Sequence, residues 1–137
     1  MSDTSDSGLS VLQPAGWTRP RGYSNGIAAS GRQVFVAGQI GWDEHARLVS
    51  GDFAEQARQA LRNVVAVLRE AGAGPQHIAR MTWYVTDRRE YLAAAKAIGQ
   101  AYREIVGAHY PAMTAIEVTA LIEDGAKVEI EATAVVP

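Results

Sequence analysis

The stretch ARMTWYVTD, residues 79 to 87, is rich in β-branched and aromatic side chains and too short for a helix, so it reads as a strand. Its apolar residues fall on both parities, and successive side chains of a strand leave on opposite faces. Both faces of the sheet it joins therefore need cover. The chain offers two helices for that purpose. DFAEQARQALRNVVAVLREAG sets Phe53, Ala57, Ala60, Leu61, Val64 and Leu68 on one helical face, and DRREYLAAAKAIGQAYREIVG does the same with Ala95, Ile98, Tyr102 and Ile105. Asp52 with Glu55, and Asp87 with Glu90, have the form of capping boxes with Asp in the Ser/Thr position, while Gly72 and Gly107 suit left-handed helix ends.

Further strands are expected at residues 112 to 120 and in AKVEIEATAVV, where Val128, Ile130, Ala132 and Ala134 alternate with Glu129, Glu131 and Thr133. Two short extended runs flank Gly31, which reads as a hairpin turn. The order is ββαβαββ, an α+β fold with two helices on one face of a mixed sheet. Two helices leave the other face bare, so identical subunits are expected to pack those faces together in a closed oligomer, with clefts between them. With 137 residues, 47% of them hydrophobic, there is material for one core. A single domain over residues 11–137 is expected, preceded by a polar tail over residues 1–10, MSDTSDSGLS, that cannot bury enough surface to be ordered.

Several functions are disfavoured by the same sequence. Thirteen basic and fifteen acidic side chains give a net charge of -2, which provides no footprint for phosphate backbones or anionic lipid, so neither nucleic acid nor membrane is an expected partner. The polar start resembles no signal peptide or anchor, and a cytoplasmic location is expected. Without cysteine there are no disulfides, thiolate nucleophiles or cysteine metal sites. His45, His77 and His109 lie far apart at no metal-ligand spacing, so no metal is expected. The GAG of EAGAGP sits at the C-terminal end of a helix, the wrong end for phosphate, and no cofactor is expected. No nucleophile motif of the Gly-x-Ser-x-Gly kind occurs.

The segments YSNG, VFVAGQI, SGDFAEQARQALRNVVAVLREAG, YVTD, HYPAMTAIEV and KVEIEATAV occur in an order that resembles the RidA/YjgF family of small trimeric proteins, over about residues 21 to 136. The resemblance implies a chorismate-mutase-like α+β fold, a homotrimer with a central barrel, and three small-molecule clefts at the subunit interfaces. Members of its best-characterised branch hydrolyse reactive enamines and imines to ketoacids and ammonia. That branch reads Pro-Ala-Arg-Ser or Thr after the turn, whereas this chain reads Pro111-Ala112-Met113-Thr114. An arginine fork matches a carboxylate as no methionine does. Two readings of Met113 stand: a flexible side chain filling a gap at a subunit interface, or a cleft kept for a ligand that is apolar or uncharged at that point. Gly99 also departs from the branch, which commonly has asparagine there.

Carried over residue by residue, the resemblance places Glu129 near the ligand or its water. A carboxylate desolvated at an interface would orient or deprotonate that water, and the other reading is an exposed glutamate or an intersubunit ion pair. Glu117 and Glu131 read as structural. Tyr23 matches a tyrosine that closes over the cleft, or it is merely packed against a neighbour. Ala37 and Gly38 match a small pair that admits ligand to the backbone, or mark a strand bulge. Thr114 supplies a hydroxyl to the ligand or is simply a β-former. Arg21, in WTRPRGYSNG, leaves an extended segment on the same side as Tyr23, reaching over the cleft mouth to replace the missing charge, or else stands in solvent. Two function classes follow: hydrolysis of an enamine or imine other than the usual 2-imino acids, or non-catalytic binding of a metabolite or partner protein in the same cleft. An endoribonuclease activity, also attached to this family, ranks third on the acidic balance.

Overall fold

In a computed structural model, residues 8–137 are described; residues 1–7, most of the segment read as a tail, lie outside the described residues. The last residues of that segment are ordered. β1 (Leu9–Leu12) pairs antiparallel with β2 (Gly26–Ala29), Leu9 opposite Ala29, and Leu9 is 2% exposed. A lone leucine among serines and aspartates gives no periodic signal, yet it is enough to anchor a four-residue ribbon once β2 supplies the ladder.

Then follow β3 (Arg32–Gln39), α1 (Phe53–Glu70), a 3-10 turn at Pro75–His77, β4 (Ile78–Val85), α2 (Arg88–Ala93), α3 (Ala95–Ile105), β5 (Ala112–Glu117) and β6 (Val128–Val136). The order ββαβαββ thus gains a leading strand, and its second helix is divided at Ala94. The main sheet runs β3–β6–β4–β5, with β6 antiparallel to β3 and β4, and β4 parallel to β5. No hairpin turns at Gly31. β2 pairs with β1 while β3 pairs with β6, and a side chain at Gly31 would drive into the Val136 carbonyl. The glycine serves a close crossing over the end of β6, a contact remote in sequence.

α1 buries the predicted stripe: Phe53, Ala57, Ala60, Leu61, Val64 and Leu68 are all at most 3% exposed. Asp52 caps it, accepting from the Glu55 N–H at 3.1 Å, but the reciprocal half of the box is replaced because the Asp52 N–H bonds Ser50 Oγ at 2.9 Å. Gly72, φ +70°, ends the helix, and the Ala73 N–H returns to the Leu68 carbonyl at 3.0 Å. Gln56, fully buried in α1, donates to the Ser50 and Gly125 carbonyls at 2.9 Å each and accepts from the Lys127 N–H at 2.8 Å. These bonds fasten two loops to the helix.

Met81, Trp83 and Val85 of β4 and Val128, Ile130, Ala132 and Ala134 of β6 face the helices and form the core with α1. Tyr91, Ile98, Tyr102 and Ile105 of α2 and α3 pack against it. The opposite face has no helix among the described residues, and Phe35 and Ile116 are 72% and 44% exposed there. Among the described residues no helix is long and apolar enough to cross a membrane.

Candidate functional site

The entrance to β5 is tied to residues 21–24. Buried Ser24 donates its N–H to the Pro111 carbonyl at 2.9 Å and its hydroxyl to the Tyr110 carbonyl at 2.5 Å. Between it and Arg21, Gly22 takes φ +80°, so the segment is turned and the strand geometry expected for Arg21 and Tyr23 does not hold. Arg21 nonetheless borders the same cavity as Met113. Tyr23 is 39% exposed.

That cavity, about 330 Å³, lies between β5, α2 and α3. Met113 pairs in register with Met81 and packs against the core, which puts it on the helix face of the sheet. Tyr102 and Tyr110 stack with centroids 5.6 Å apart and planes at 11°. The Tyr102 hydroxyl donates to the His109 carbonyl at 2.5 Å, and burial, then the neighbouring Tyr110, holds this phenol far above its ordinary pKa. His109 Nε2 lies 2.7 Å from the Ile78 carbonyl, so the proton sits on Nε2, and burial pushes the imidazole pKa down. Trp83, 2% exposed, meets Tyr91 edge to face at 6.1 Å; its Nε1–H has no acceptor among the described residues.

Gly99 on α3 also borders the cavity. A β-carbon there would meet only the end of Arg103, at 3.4 Å. Glycine inside a helix costs about 1 kcal/mol relative to alanine, and no backbone torsion demands it here. Arg21 and Arg103 both border the cavity, and neither guanidinium has a hydrogen-bond or ion-pair partner among the described residues. Both departures from the deaminating branch, Met113 and Gly99, therefore meet in one space beside Arg21. The sequence marks Tyr102 only as part of the helix's apolar stripe, and Arg103 and Tyr110 not at all. The signal was the spacing: Gly99 and Arg103 stand four apart, beside Ile98 and Tyr102.

The other candidates lie across the sheet. Thr114 is in register with Thr82, and Glu129 with Tyr84, on the face without helices. Ala37 and Gly38 occupy a bulge of β3, since three steps from Val36 to Gln39 match two from Ala132 to Ile130. The Glu129 side chain lies over Gly38, where a β-carbon would stand 2.7 Å from the carboxyl carbon. The Glu129 carboxylate has no hydrogen-bond partner among the described residues and borders a hollow of about 230 Å³ with Tyr84, Val118, Leu121 and Ile122. Glu131 and Glu117 have structural partners. Glu131 accepts from the Tyr84 hydroxyl at 3.1 Å, which raises the tyrosine pKa, and Glu117 accepts from the Arg88 N–H at 2.8 Å. One sheet thus separates Met113 and Arg21 from Glu129, Gly38 and Thr114. Among the described residues no cluster of acidic or histidine side chains could hold a metal ion.

The family model described as Endoribonuclease L-PSP matches residues 18–136. A RutC family protein from Synechocystis sp. is 36% identical, covering 94% of this chain and 98% of its own. A 2-iminobutanoate/2-iminopropanoate deaminase from Homo sapiens is 32% identical over 82% of this chain and 79% of its own. Among solved structures, a Rid family protein of unknown function from Yersinia pestis superposes with a TM-score of 0.83 at 34% identity, covering 94% of this chain and 99% of that one. On this match of sequence, element order and sheet, the chain belongs to the RidA/YjgF family.

Proposed function

We propose that this chain forms a homotrimer around a central barrel of its bare sheet faces and, in clefts between subunits, hydrolyses a reactive enamine or imine other than the usual 2-imino acids. The observation that carries the reading is the separation of Met113 and Glu129 onto opposite faces of one sheet. Each face is half a site: one has guanidinium groups and an apolar cavity, the other an unpartnered carboxylate over a glycine. A second copy brings the halves together, and the same contact covers Phe35 and Ile116.

In the joined cleft, Glu129 accepts a proton as water adds to the C=N carbon and passes it to nitrogen, then takes the proton of the new hydroxyl and passes that to nitrogen as well, so that the C–N bond breaks and ammonia leaves as the carbonyl forms. Gly38 leaves room for the carboxylate, Thr114 offers a hydroxyl, and Tyr23 closes the mouth. Hydrolysis of this kind needs only water and proton transfer, and no cofactor. Arg21 and Arg103 supply positive charge from the α3 side, while Met113 withholds it from β5, so small 2-imino acids lose their anchor. The deaminase activity named for the human relative supports the reaction class. A net charge of -2 gives the endoribonuclease of the family description no support, and the ligand is a small metabolite of the cytoplasm.

The second reading, binding without catalysis, is favoured by Met113 alone, since methionine leaves the strand position without a cation. Ammonia release separates the two. Purified protein is incubated with imines generated in situ from several amino acids and amines; release above the uncatalysed rate supports hydrolysis, and binding without release supports the second reading. A monomer by light scattering at micromolar concentration would defeat the shared cleft.

A further inference from the structure

We propose that the cavity beside Gly99 is a ring-binding pocket and that the ligand of the cleft is an imine with an aromatic side group, hydrolysed with water to an aryl ketoacid and ammonia. The reaction rests on the reading above; the pocket rests on its own geometry. Its walls are Trp83, Tyr91, Ile98, Tyr102, Tyr110 and Met113, and at about 330 Å³ it falls at the small end of ligand pockets, which run to about 1,000 Å³. The stacked pair Tyr102 and Tyr110 presents flat aromatic surface on one side, against which another ring packs offset or edge-on.

Gly99 decides the size of the space. It is a helix-interior residue with no positive φ, and a β-carbon there meets nothing but the movable end of Arg103. Neither the backbone nor a close neighbour explains a poor helix former at this position. The open volume does, because any larger side chain would project into it. Met113 acts in the same direction from β5. An arginine there would fill and charge the floor, whereas methionine leaves it apolar and adaptable. Recognition by charge at the strand is exchanged for recognition by shape, with Arg21 and Arg103 left unpaired at the rim for the ligand's anionic group.

The test uses calorimetric titration of the full chain with two ketoacids, pyruvate and phenylpyruvate, which share the anionic group, differ in the ring and need no turnover. Phenylpyruvate is expected to bind about tenfold tighter or more, from burial of the ring. Gly99→Leu, which fills the pocket from the helix, is expected to raise its Kd about tenfold with the circular dichroism of the fold retained. Met113→Trp fills it from the strand, and gives the same loss if the first variant does not fold. Equal affinity for the two ketoacids, or an unchanged Kd for phenylpyruvate in either folded variant, overturns the pocket. A ring preference in a protein that releases no ammonia from any imine supports the pocket and overturns only the hydrolysis.

Discussion

Gly38 and Glu129 sit so close across β3 and β6 that a β-carbon on the first would stand 2.9 Å from Cγ of the second. Gly38→Ala therefore has to push the carboxylate aside. The expected outcome is a fall in ammonia release of about a hundredfold or more, in keeping with loss of a positioned proton-transfer group. Stability falls by only about 1 kcal/mol, because the obstructing atoms belong to a flexible side chain. Initial rates and a denaturant melt on the same preparation check both.

Glu129→Gln keeps shape and removes the proposed base. Turnover is expected to disappear while light scattering still gives the proposed trimer. Undiminished ammonia release in this variant would take Glu129 out of the mechanism.

Arg21→Ala removes one of two unpartnered guanidinium groups from the cavity rim. Affinity for carboxylate ligands is expected to drop about fivefold to tenfold, the loss of one charge-assisted contact at a solvent-facing position. Met113→Arg in that background is expected to recover it, and calorimetry with a set of carboxylates reads both steps. Unchanged affinity in Arg21→Ala would favour an uncharged ligand.

His109 gives a pH dependence. Its folded-state pKa is lowered, chiefly by burial, below the ordinary value near 6.5, so the unfolded chain binds the proton first. The stability it contributes is complete above about pH 6.5 and is lost as the pH falls through the lowered folded value. His109→Gln is expected to keep a donor toward the Ile78 carbonyl without titrating, and so to flatten the part of the acid limb just below pH 6.5 in melts taken at successive pH values.

What was legible in the sequence was local. Asp52, the α1 stripe and Gly72 sit within one stretch and reported helix start, face and stop correctly. Val128 to Ala134 showed their strand by simple alternation. The misreadings came from contacts between distant segments: Gly31 answers to Val136, and Leu9 to Ala29. For the candidate site the sequence offered residues to consider but no layout. That Met113 and Glu129 part across a sheet depends on the registers of β5 and β6 against β4, which neither strand's own pattern records. The turn at Gly22 likewise needed its torsion to be seen, since Gly reads equally as a turn or an extended link.

The buried amide of Gln56 gives the molecule a hinge-free shoulder. By holding Ser50, Gly125 and Lys127 at once, it makes the loop before α1 and the loop before β6 open together or stay shut together. In hydrogen exchange the Lys127 amide should therefore share the slow rate of the helix and not the fast rate of an exposed loop. Because β6 carries Glu129 two residues beyond that clasp, the strand that bears the carboxylate starts from a point fastened to the helix.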